Sequence, residues 1–434
     1  MQPTTLILFG GTGDLTKRKL LPAFATLLQQ EKLARGSLLI GIGRRPLTHA
    51  TYRNSLVTDL SPADQALLKD LQMFYFQDDV GQKDGLMKLP AFLQEHEHKN
   101  SNRIFYLATS YTLFPPIVQA LHKHSLDKQK GGWTRLVFEK PFGHDLASSV
   151  LLDKAIYKVF PEEQIFLIDH YLAKAAILDL KSLKLGNPQL DTLLHKDFVS
   201  QIEIVVDESL GVGDRLGYYA EAGALKDMVQ NHLLQMTALL LMEKPAKLTD
   251  ATFHDAKVRT LQHLQVASPE RHLLGQYKSY RDECKQANVP YTKIETFAHL
   301  VLTCTLPRWK NVPILLRTGK RLPKKYGQII VHFKQELTQT YQGQALAGQH
   351  LVIALHPEQD IRLGKILLSS QLQQGASNEY ATLLGDVFLG EHMLFTRFDE
   401  VEAAWKIIEQ LEQMKSKIPF LIYDDDTDPQ QTPF

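Results

Sequence analysis

A carboxylate, an imidazole and an ammonium group are concentrated in the stretch Asp169-His-Tyr-Leu-Ala-Lys174. An apolar run at 164–168 precedes it and a helical pattern follows, so Asp169 is predicted to lie where a strand ends and a helix begins. Open α/β sheets bind their ligands at this edge. His170 and Lys174 are predicted to share the first helical turn, whose N–H groups favour an anion. The alternative is an Asp N-cap and a solvated basic turn.

A second group of polar residues lies in the helical pattern 225–242, whose apolar residues cover most of the circumference after His232. Such a helix is predicted to be buried, so Asp227, Asn231 and His232 need partners. Taken alone, His232 is interpreted as a core histidine that is hydrogen-bonded to the backbone. Asp227 lies five residues earlier, about 140° around an α-helix, so it is not expected to orient His232.

The N-terminus carries a variant of a dinucleotide-binding motif. An apolar strand-like run at 5–9 leads into Gly10-Gly-Thr-Gly-Asp-Leu-Thr16. Gly10 and Gly13 would let the backbone approach a pyrophosphate, although Thr16 replaces the usual third glycine. The alternative is a glycine turn that only joins a strand to a helix.

The end of the second predicted strand indicates which dinucleotide is bound. A fold that binds NAD would carry an acidic residue there for the ribose hydroxyls. The chain has Arg44 and Arg45 instead, and guanidinium groups suit a 2′-phosphate. We therefore expect NADP, with NAD as the weaker alternative.

These groups must be positioned by two predicted domains. Residues 1–169 alternate strands and helices, which predicts a Rossmann-type α/β domain with a parallel sheet. Its predicted strands are 5–9, 38–42, 74–76, 103–108, 135–139 and 164–168. Residues 170–434 predict a β+α domain for substrate binding and dimerisation, built on a large, mainly antiparallel sheet. Its predicted strands are 201–206, 299–305, 329–333, 350–354 and 360–367, with helices at 225–243, 377–389 and 401–415.

Composition limits the partners. The 434 residues are 44% hydrophobic and 22% charged, with a net charge of +1, which argues against nucleic acid or a membrane surface. Two cysteines and the lack of an apolar run of about 20 residues predict a cytoplasmic protein. His96-Glu-His98 has metal-like spacing but is interpreted as solvated surface, and no metal is expected. The acidic residues 424–428 are predicted to be a frayed tail.

The 169–174 block resembles the Asp-His-Tyr-Leu-Gly-Lys-Glu signature of the glucose-6-phosphate dehydrogenase family. Five further stretches are similar to that family in the same order, so the resemblance spans nearly the whole chain. They are Gly10–Thr16, Glu139-Lys-Pro-Phe-Gly143, Asp227-Met-Val-Gln-Asn-His-Leu-Leu-Gln235, Val312-Pro-Ile-Leu-Leu-Arg-Thr-Gly-Lys320 and Asp399-Glu-Val-Glu-Ala-Ala-Trp-Lys406.

The resemblance implies NADP-linked oxidation of glucose 6-phosphate at C1 to the lactone, by a homodimer or a dimer of dimers. His232 would be the base, oriented by Asp169 in a catalytic dyad. The resemblance implies these ligands: His170, Tyr171, Lys174 and Lys325 for the phosphate; Glu208, Asp227 and Lys320 for the sugar; Gly10, Gly11, Thr12, Gly13, Asp14, Leu15 and Arg44 for the dinucleotide; and Lys140 for both.

Some positions depart from the family pattern. Leu167, Ala173 and Ala175 replace an Arg, a Gly and a Glu, and residues 180–196 are barely recognisable. Losing these charges changes the field of the pocket. Two alternatives therefore remain: a paralogue that oxidises another phosphorylated or amino sugar, and a non-catalytic nucleotide-binding homologue.

Overall fold

A computed structural model of the chain describes residues 2–82, 84–128, 131–370 and 378–431. They form two compact units, the described residues of Met1–Ala173 with Ala376–Phe398 and those of Lys174–Gly375 with Asp399–Phe434. The domain boundary at residue 169 stays a prediction. No pattern in the sequence indicates that a late segment belongs to the first unit. In the described ranges, no helix is both long and apolar enough to cross a membrane.

The first unit is built on a six-stranded sheet in the order β3-β2-β1-β4-β5-β6, and every neighbouring pair is parallel. Its strands are β1 Thr4–Phe9, β2 Leu38–Gly43, β3 Gln72–Gln77, β4 Asn102–Leu107, β5 Thr134–Phe138 and β6 Ile165–Leu167. Every residue of β1 is buried, as expected for an apolar strand covered on both faces. The predicted Rossmann-type fold is confirmed.

Helices connect these strands. They are α1 Leu21–Gln29, α2 His49–Val57, α3 Pro62–Leu67, α4 Leu89–His96, α5 Phe114–Lys123 and α6 Leu146–Tyr157. The interpretation of His96 as solvated surface is wrong, because its ring stacks on Phe74 with centroids 4.3 Å apart. His98 is exposed.

The second unit is built on a ten-stranded sheet that is antiparallel except for the pairs β7–β11 and β9–β18. Strands β13 and β14 of this unit pair only with each other, outside the large sheet. The strands of the second unit up to residue 370 are β7 Val199–Asp207, β8 Leu264–Val266, β9 Leu273–Tyr277, β10 Phe297–Cys304, β11 Ile314–Gly319, β12 Tyr326–Phe333, β13 Thr340–Tyr341, β14 Gln344–Ala345, β15 His350–His356, β16 Asp360–Leu363 and β17 Ile366–Ser370. Its helices up to residue 286 are α7 Ala175–Gly186, α8 Pro188–Leu193, α9 Leu216–Ala224, α10 Leu234–Leu241, α11 Asp250–Gln262 and α12 Tyr280–Gln286.

The prediction of one strand over 360–367 is wrong. Gly364, with a φ of 57°, turns the chain there, and β16 and β17 form an antiparallel hairpin.

The chain ends with α13 Glu379–Leu389, α14 Phe398–Met414 and β18 Phe420–Tyr423. The predicted start of α13 at Ser377 lies outside the described residues. Helix α13 belongs to the first unit, where the Arg135 guanidinium donates to the Val387 carbonyl and stacks 4.0 Å from the Trp133 ring.

The acidic segment after β18 is held in place, so the predicted frayed tail is wrong. Asp424 pairs with Lys278 at 2.9 Å, and Asp428 pairs with Arg317 at 3.1 Å. Strand β18 brings these carboxylates to the sheet by pairing with β9.

Candidate active site

The loop after β1 exposes backbone rather than side chains. The N–H groups of Gly10 and Gly11 both donate to the Ile42 carbonyl, at 3.1 and 3.2 Å. Gly10 has a φ of 79°, and a Cβ there would lie 2.4 Å from the Ala108 carbonyl oxygen. A Cβ on Gly11 would lie 2.6 Å from the Gly41 Cα. The missing side chains therefore let the loop pack tightly against its neighbours at the end of β1, the edge of such a sheet where a dinucleotide is expected to bind.

The remaining predicted loop residues, Thr12, Gly13, Asp14 and Leu15, are half-buried or exposed and lead into a π-helix, Thr16–Leu20. Asp14 pairs with Arg18 at 2.7 Å on the surface. Thr16, which replaces the third glycine, is fully buried. The departure from the motif is therefore accommodated inside the protein rather than on the exposed side of the loop.

Arg44 and Arg45 follow β2 directly and are both exposed. Gln77 donates to the Arg44 carbonyl at 3.4 Å, which ties the residue to the end of β3. Burial raises the pKa of Tyr75, and the nearby Arg45 partly offsets this. The guanidinium of Arg44 can therefore meet a phosphate in solvent.

The Asp169–Lys174 segment is a turn, which corrects the predicted helical start. Helix α7 begins only at Ala175, so His170 and Lys174 do not share a helical face. Asp169 is 2% exposed, and its Oδ1 accepts from the Tyr171 N–H at 3.0 Å. The aspartate therefore shapes this turn and does not cap a helix.

Lys140 follows Glu139, a carboxylate that accepts hydrogen bonds from two tyrosines. The hydroxyl of Tyr106 donates to Glu139 Oε1 at 2.6 Å. Burial raises the pKa of Glu139, whereas hydrogen bonds from Tyr106 and Tyr380 and the charge of Lys140 lower it. The Tyr380 ring also stacks near His170, with centroids 6.3 Å apart. Sequence reasoning missed Tyr380, because no motif marks this residue of α13.

Asp227 and His232 lie on a π-helix, Leu225–Leu233, that continues into α10. The Leu234 N–H donates to the Val229 carbonyl, five residues back. Residues five apart are therefore about one turn apart and lie on one side of the helix. The predicted separation of 140° is wrong, because it assumed an α-helix. The two residues are 2% and 1% exposed.

Charged residues near this helix are paired. The Asp227 carboxylate accepts from Arg215 at 2.6 Å, a partner that the sequence did not indicate. Glu208 and Lys320 follow the ends of the neighbouring parallel strands β7 and β11 and form an ion pair. The Lys320 ammonium also lies 5.3 Å from the Tyr219 ring centroid. The register of the sheet therefore brings together Glu208 and Lys320, two of the residues that the family resemblance implies for the sugar.

Lys174 and Lys325 both act on one histidine of the second unit, His356. Burial lowers the pKa of His356, and the positive charges of Lys325 and Lys174 lower it further. The amide N–H of Ala175, next to Lys174, donates to Gln359 Oε1 at 3.2 Å. An anion bound beside His356 would therefore also feel the positive charges of both lysines. Sequence reasoning found the lysines but not His356.

These observations define a class of protein, a dinucleotide-dependent oxidoreductase with a Rossmann-type unit and a second unit on a large mixed sheet. Residues 7–179 match the family model described as "Glucose-6-phosphate dehydrogenase, NAD binding domain", and residues 181–432 match its C-terminal counterpart. The chain therefore belongs to the glucose-6-phosphate dehydrogenase family.

Individual relatives agree. The chain is 31% identical to a glucose-6-phosphate 1-dehydrogenase of Chlamydia muridarum, over 96% of this chain and 91% of the relative. It is 33% identical to the Bacillus subtilis enzyme of that name, over 94% and 91%. A solved structure of glucose-6-phosphate dehydrogenase with its substrate glucose 6-phosphate aligns with a TM-score of 0.85 and 26% identity, covering 99% of this chain and 96% of that one.

Proposed function

We propose that the protein oxidises glucose 6-phosphate at C1 to 6-phosphogluconolactone with NADP as the acceptor. The observation that carries this proposal is His232, an imidazole 1% exposed on a widened helix beside the paired Asp227, in a chain of this family. The related enzymes are named for the same substrate.

In this mechanism, His232 accepts the proton of the C1 hydroxyl while hydride leaves C1, which makes the carbonyl of the lactone. Asp169 is proposed as the partner that orients the imidazole and stabilises its positive charge. Glu208, Lys320 and Asp227 bind the sugar hydroxyls. Their existing ion pairs keep these side chains in fixed positions before the sugar arrives.

The phosphate is proposed to bind Lys174 and Lys325, with His170 and Tyr171. Support comes from the joint effect of the two lysines on His356, which adds a third basic group. Anchoring the remote phosphate would place C1 for reaction, so unphosphorylated glucose should be a very poor substrate.

The dinucleotide is proposed to bind the Gly10–Leu15 loop, with Lys140 reaching toward both cofactor and sugar. NADP, when bound, accepts the hydride. The Gly10 and Gly11 backbone would approach the pyrophosphate, and the exposed Arg44 would bind the 2′-phosphate.

The proposal includes a cytoplasmic protein that forms a homodimer or a dimer of dimers. Cys284 and Cys304 are both buried and do not form a disulfide, which fits a reducing compartment. Strand β12 alternates buried and half-buried residues, so the second face of the large sheet is open to pairing.

The test is absorbance of the reduced nicotinamide with a panel of sugar phosphates, glucose, NADP and NAD. We expect glucose 6-phosphate with NADP to give the highest kcat/KM. Lys174→Ala should lower kcat/KM for phosphorylated substrates but not for glucose, so the ratio between the two values should fall. Another sugar phosphate as the best substrate would favour a diverged paralogue, and no turnover at all would favour a binding protein.

A further inference from the structure

Glu295 is a fully buried carboxylate, 0% exposed, just before β10, and the mechanism above does not use it. Its Oε1 accepts from the Leu225 N–H at 3.1 Å, and its main-chain carbonyl accepts from the Ala224 N–H at 2.9 Å. Leu225 is the first residue of the π-helix that carries His232. One residue therefore binds two of the N–H groups that the start of this helix leaves unsatisfied.

The same carboxylate has a cation on its other side. Glu295 Oε2 lies 2.8 Å from the Lys415 ammonium, which also pairs with Glu412 at 3.1 Å. Burial raises the pKa of Glu295, and Lys415 opposes that effect. A negative charge near a helix N-terminus is also favourable to the helix dipole. Lys415 thus fixes the direction in which the carboxylate points.

The backbone is shaped to admit this carboxylate. Gly223, with φ 61° and ψ −176°, separates α9 from the π-helix. A Cβ on Gly223 would lie 2.3 Å from Glu295 Oε1, so only glycine leaves room for the oxygen. The break in the helix and the carboxylate are parts of one arrangement.

The far end of the helix has its own support. Trp309, 0% exposed, donates from Nε1 to the Leu241 carbonyl at 2.7 Å. Glu295 and Trp309 lie on either side of β10, so this strand and its flanks hold both ends of the helix. Trp309 therefore offers a matched control at the end that carries neither Asp227 nor His232.

We propose that Glu295 is a positioning residue for His232, because it fixes the residue at which the π-helix starts. A slip of one residue would turn every following side chain around the axis of the π-helix. Asp227 and His232 would then turn together, away from the direction that they now face. This inference rests on the proposed function, in which His232 is the base.

The experiment compares the whole protein with Glu295→Ala, Glu295→Gln and Trp309→Phe. Glu295→Ala should lower kcat about 10- to 100-fold, because small displacements of a reacting group have effects of this size. KM for glucose 6-phosphate should change less than kcat, since its phosphate ligands lie elsewhere and only the proposed contact of Asp227 with the sugar would be disturbed. Glu295→Gln should restore most of kcat, because its amide oxygen can still accept from Leu225. Trp309→Phe should lower the melting temperature but not kcat.

Amide hydrogen exchange gives a readout that does not depend on turnover. Exchange at residues 224–228 should accelerate in Glu295→Ala and remain normal in Trp309→Phe. If Glu295→Ala does not fold, Glu295→Asp, whose shorter side chain cannot reach both partners, should show the same changes at smaller size.

Two outcomes would overturn the inference: unchanged exchange at the helix start in Glu295→Ala, or a kcat of Glu295→Ala equal to that of Trp309→Phe. A wild-type protein that does not oxidise glucose 6-phosphate would instead overturn the proposed function. The exchange data would still decide whether Glu295 holds the helix.

Discussion

The nucleotide loop of the first unit and the π-helix of the second unit prepare for their ligands in opposite ways. At Gly10 and Gly11 the protein leaves side chains out, and the charges of Arg44 and Arg45 stay in solvent. On the π-helix, Asp227 and His232 are buried, and Asp227 is paired with Arg215. The loop should therefore be sensitive to an added methyl group, whereas the helix should be sensitive to the loss of one polar atom.

The largest expected effect is in the helix. His232→Asn keeps the size of the side chain but removes the base, so kcat should fall by about 10²–10⁴-fold with little change in KM for the sugar phosphate. Steady-state rates at saturating NADP measure it. A near-normal kcat would mean that His232 is not the base, and that the π-helix is not more sensitive than the loop to the loss of a polar atom.

The proposed dyad can be tested on the same variant. Asp169→Asn should lower kcat less than His232→Asn does, since the imidazole of His232 remains. The double variant should be little worse than His232→Asn alone, because groups that act as a unit are non-additive. Fully additive losses would mean that Asp169 and His232 act separately.

In the loop, Gly10→Ala should raise KM for NADP and NAD by the same factor, about 10- to 100-fold. The added Cβ would meet the Ala108 carbonyl at 2.4 Å, and the positive φ adds about 1–3 kcal/mol of strain. Gly186→Ala is the control, since a Cβ there meets nothing within 4 Å. An effect on kcat alone would show that the loop does more than receive the dinucleotide.

A smaller and more selective effect is expected at the exposed charges. Arg44→Ala should raise KM for NADP about tenfold and leave KM for NAD nearly unchanged, because only the 2′-phosphate contact is lost. Arg53→Ala is the control, because the Arg53 guanidinium already donates to the Leu71 and Lys69 carbonyls. Equal changes for both cofactors would mean that Arg44 only shapes the loop.

The smallest effect concerns a buried charge that lacks a close partner. Lys184 is fully buried, its Nζ is 3.7 Å from Asp191 Oδ1, and no hydrogen-bond acceptor for it is found among the described residues. Burial, with the repulsion of Arg308, lowers the pKa of Lys184 to about 8. Lys184→Met should therefore raise the free energy of unfolding at pH 7 by about 1 kcal/mol.

The pH dependence of this gain has a definite sign. Below pH 8 the amine is charged in both states, and the folded state bears the whole penalty of burying it. Between about pH 8 and the unfolded pKa of about 10.4, the folded state loses the proton first, so the wild type becomes relatively more stable. The advantage of Lys184→Met, measured by urea unfolding, should shrink over that window. A gain that is constant with pH would mean that packing, not charge, is responsible.

The sequence predicted best what depends on neighbouring residues. All six parallel strands of the first unit appear as apolar runs, because a strand covered on both faces needs no polar residue. The strands β8 and β18, of three and four residues, are too short to show alternation. Apolar residues occur on both sides of Gly364, so the sequence pattern alone does not reveal the hairpin.

Residues of the candidate site could be predicted where they belong to a sequence motif. Their partners could not be predicted where they lie far away along the chain. His232 and Asp227 lie in one motif, but Arg215, Glu295 and Lys415 reach this helix through the fold. The widened turn could not be read from apolar spacing, which assumes 3.6 residues per turn. Only the three-dimensional structure reveals that five residues close a turn there.

The return of α13 to the first unit has a consequence for biosynthesis. N-terminal domains usually fold as they leave the ribosome. Here the helix that accepts from Arg135 and carries Tyr380 is made only near the end of the 434-residue chain. A nascent chain of 173 residues should therefore be digested by protease much faster than the finished protein, and the dinucleotide-binding unit should close only after most of the second unit has been translated.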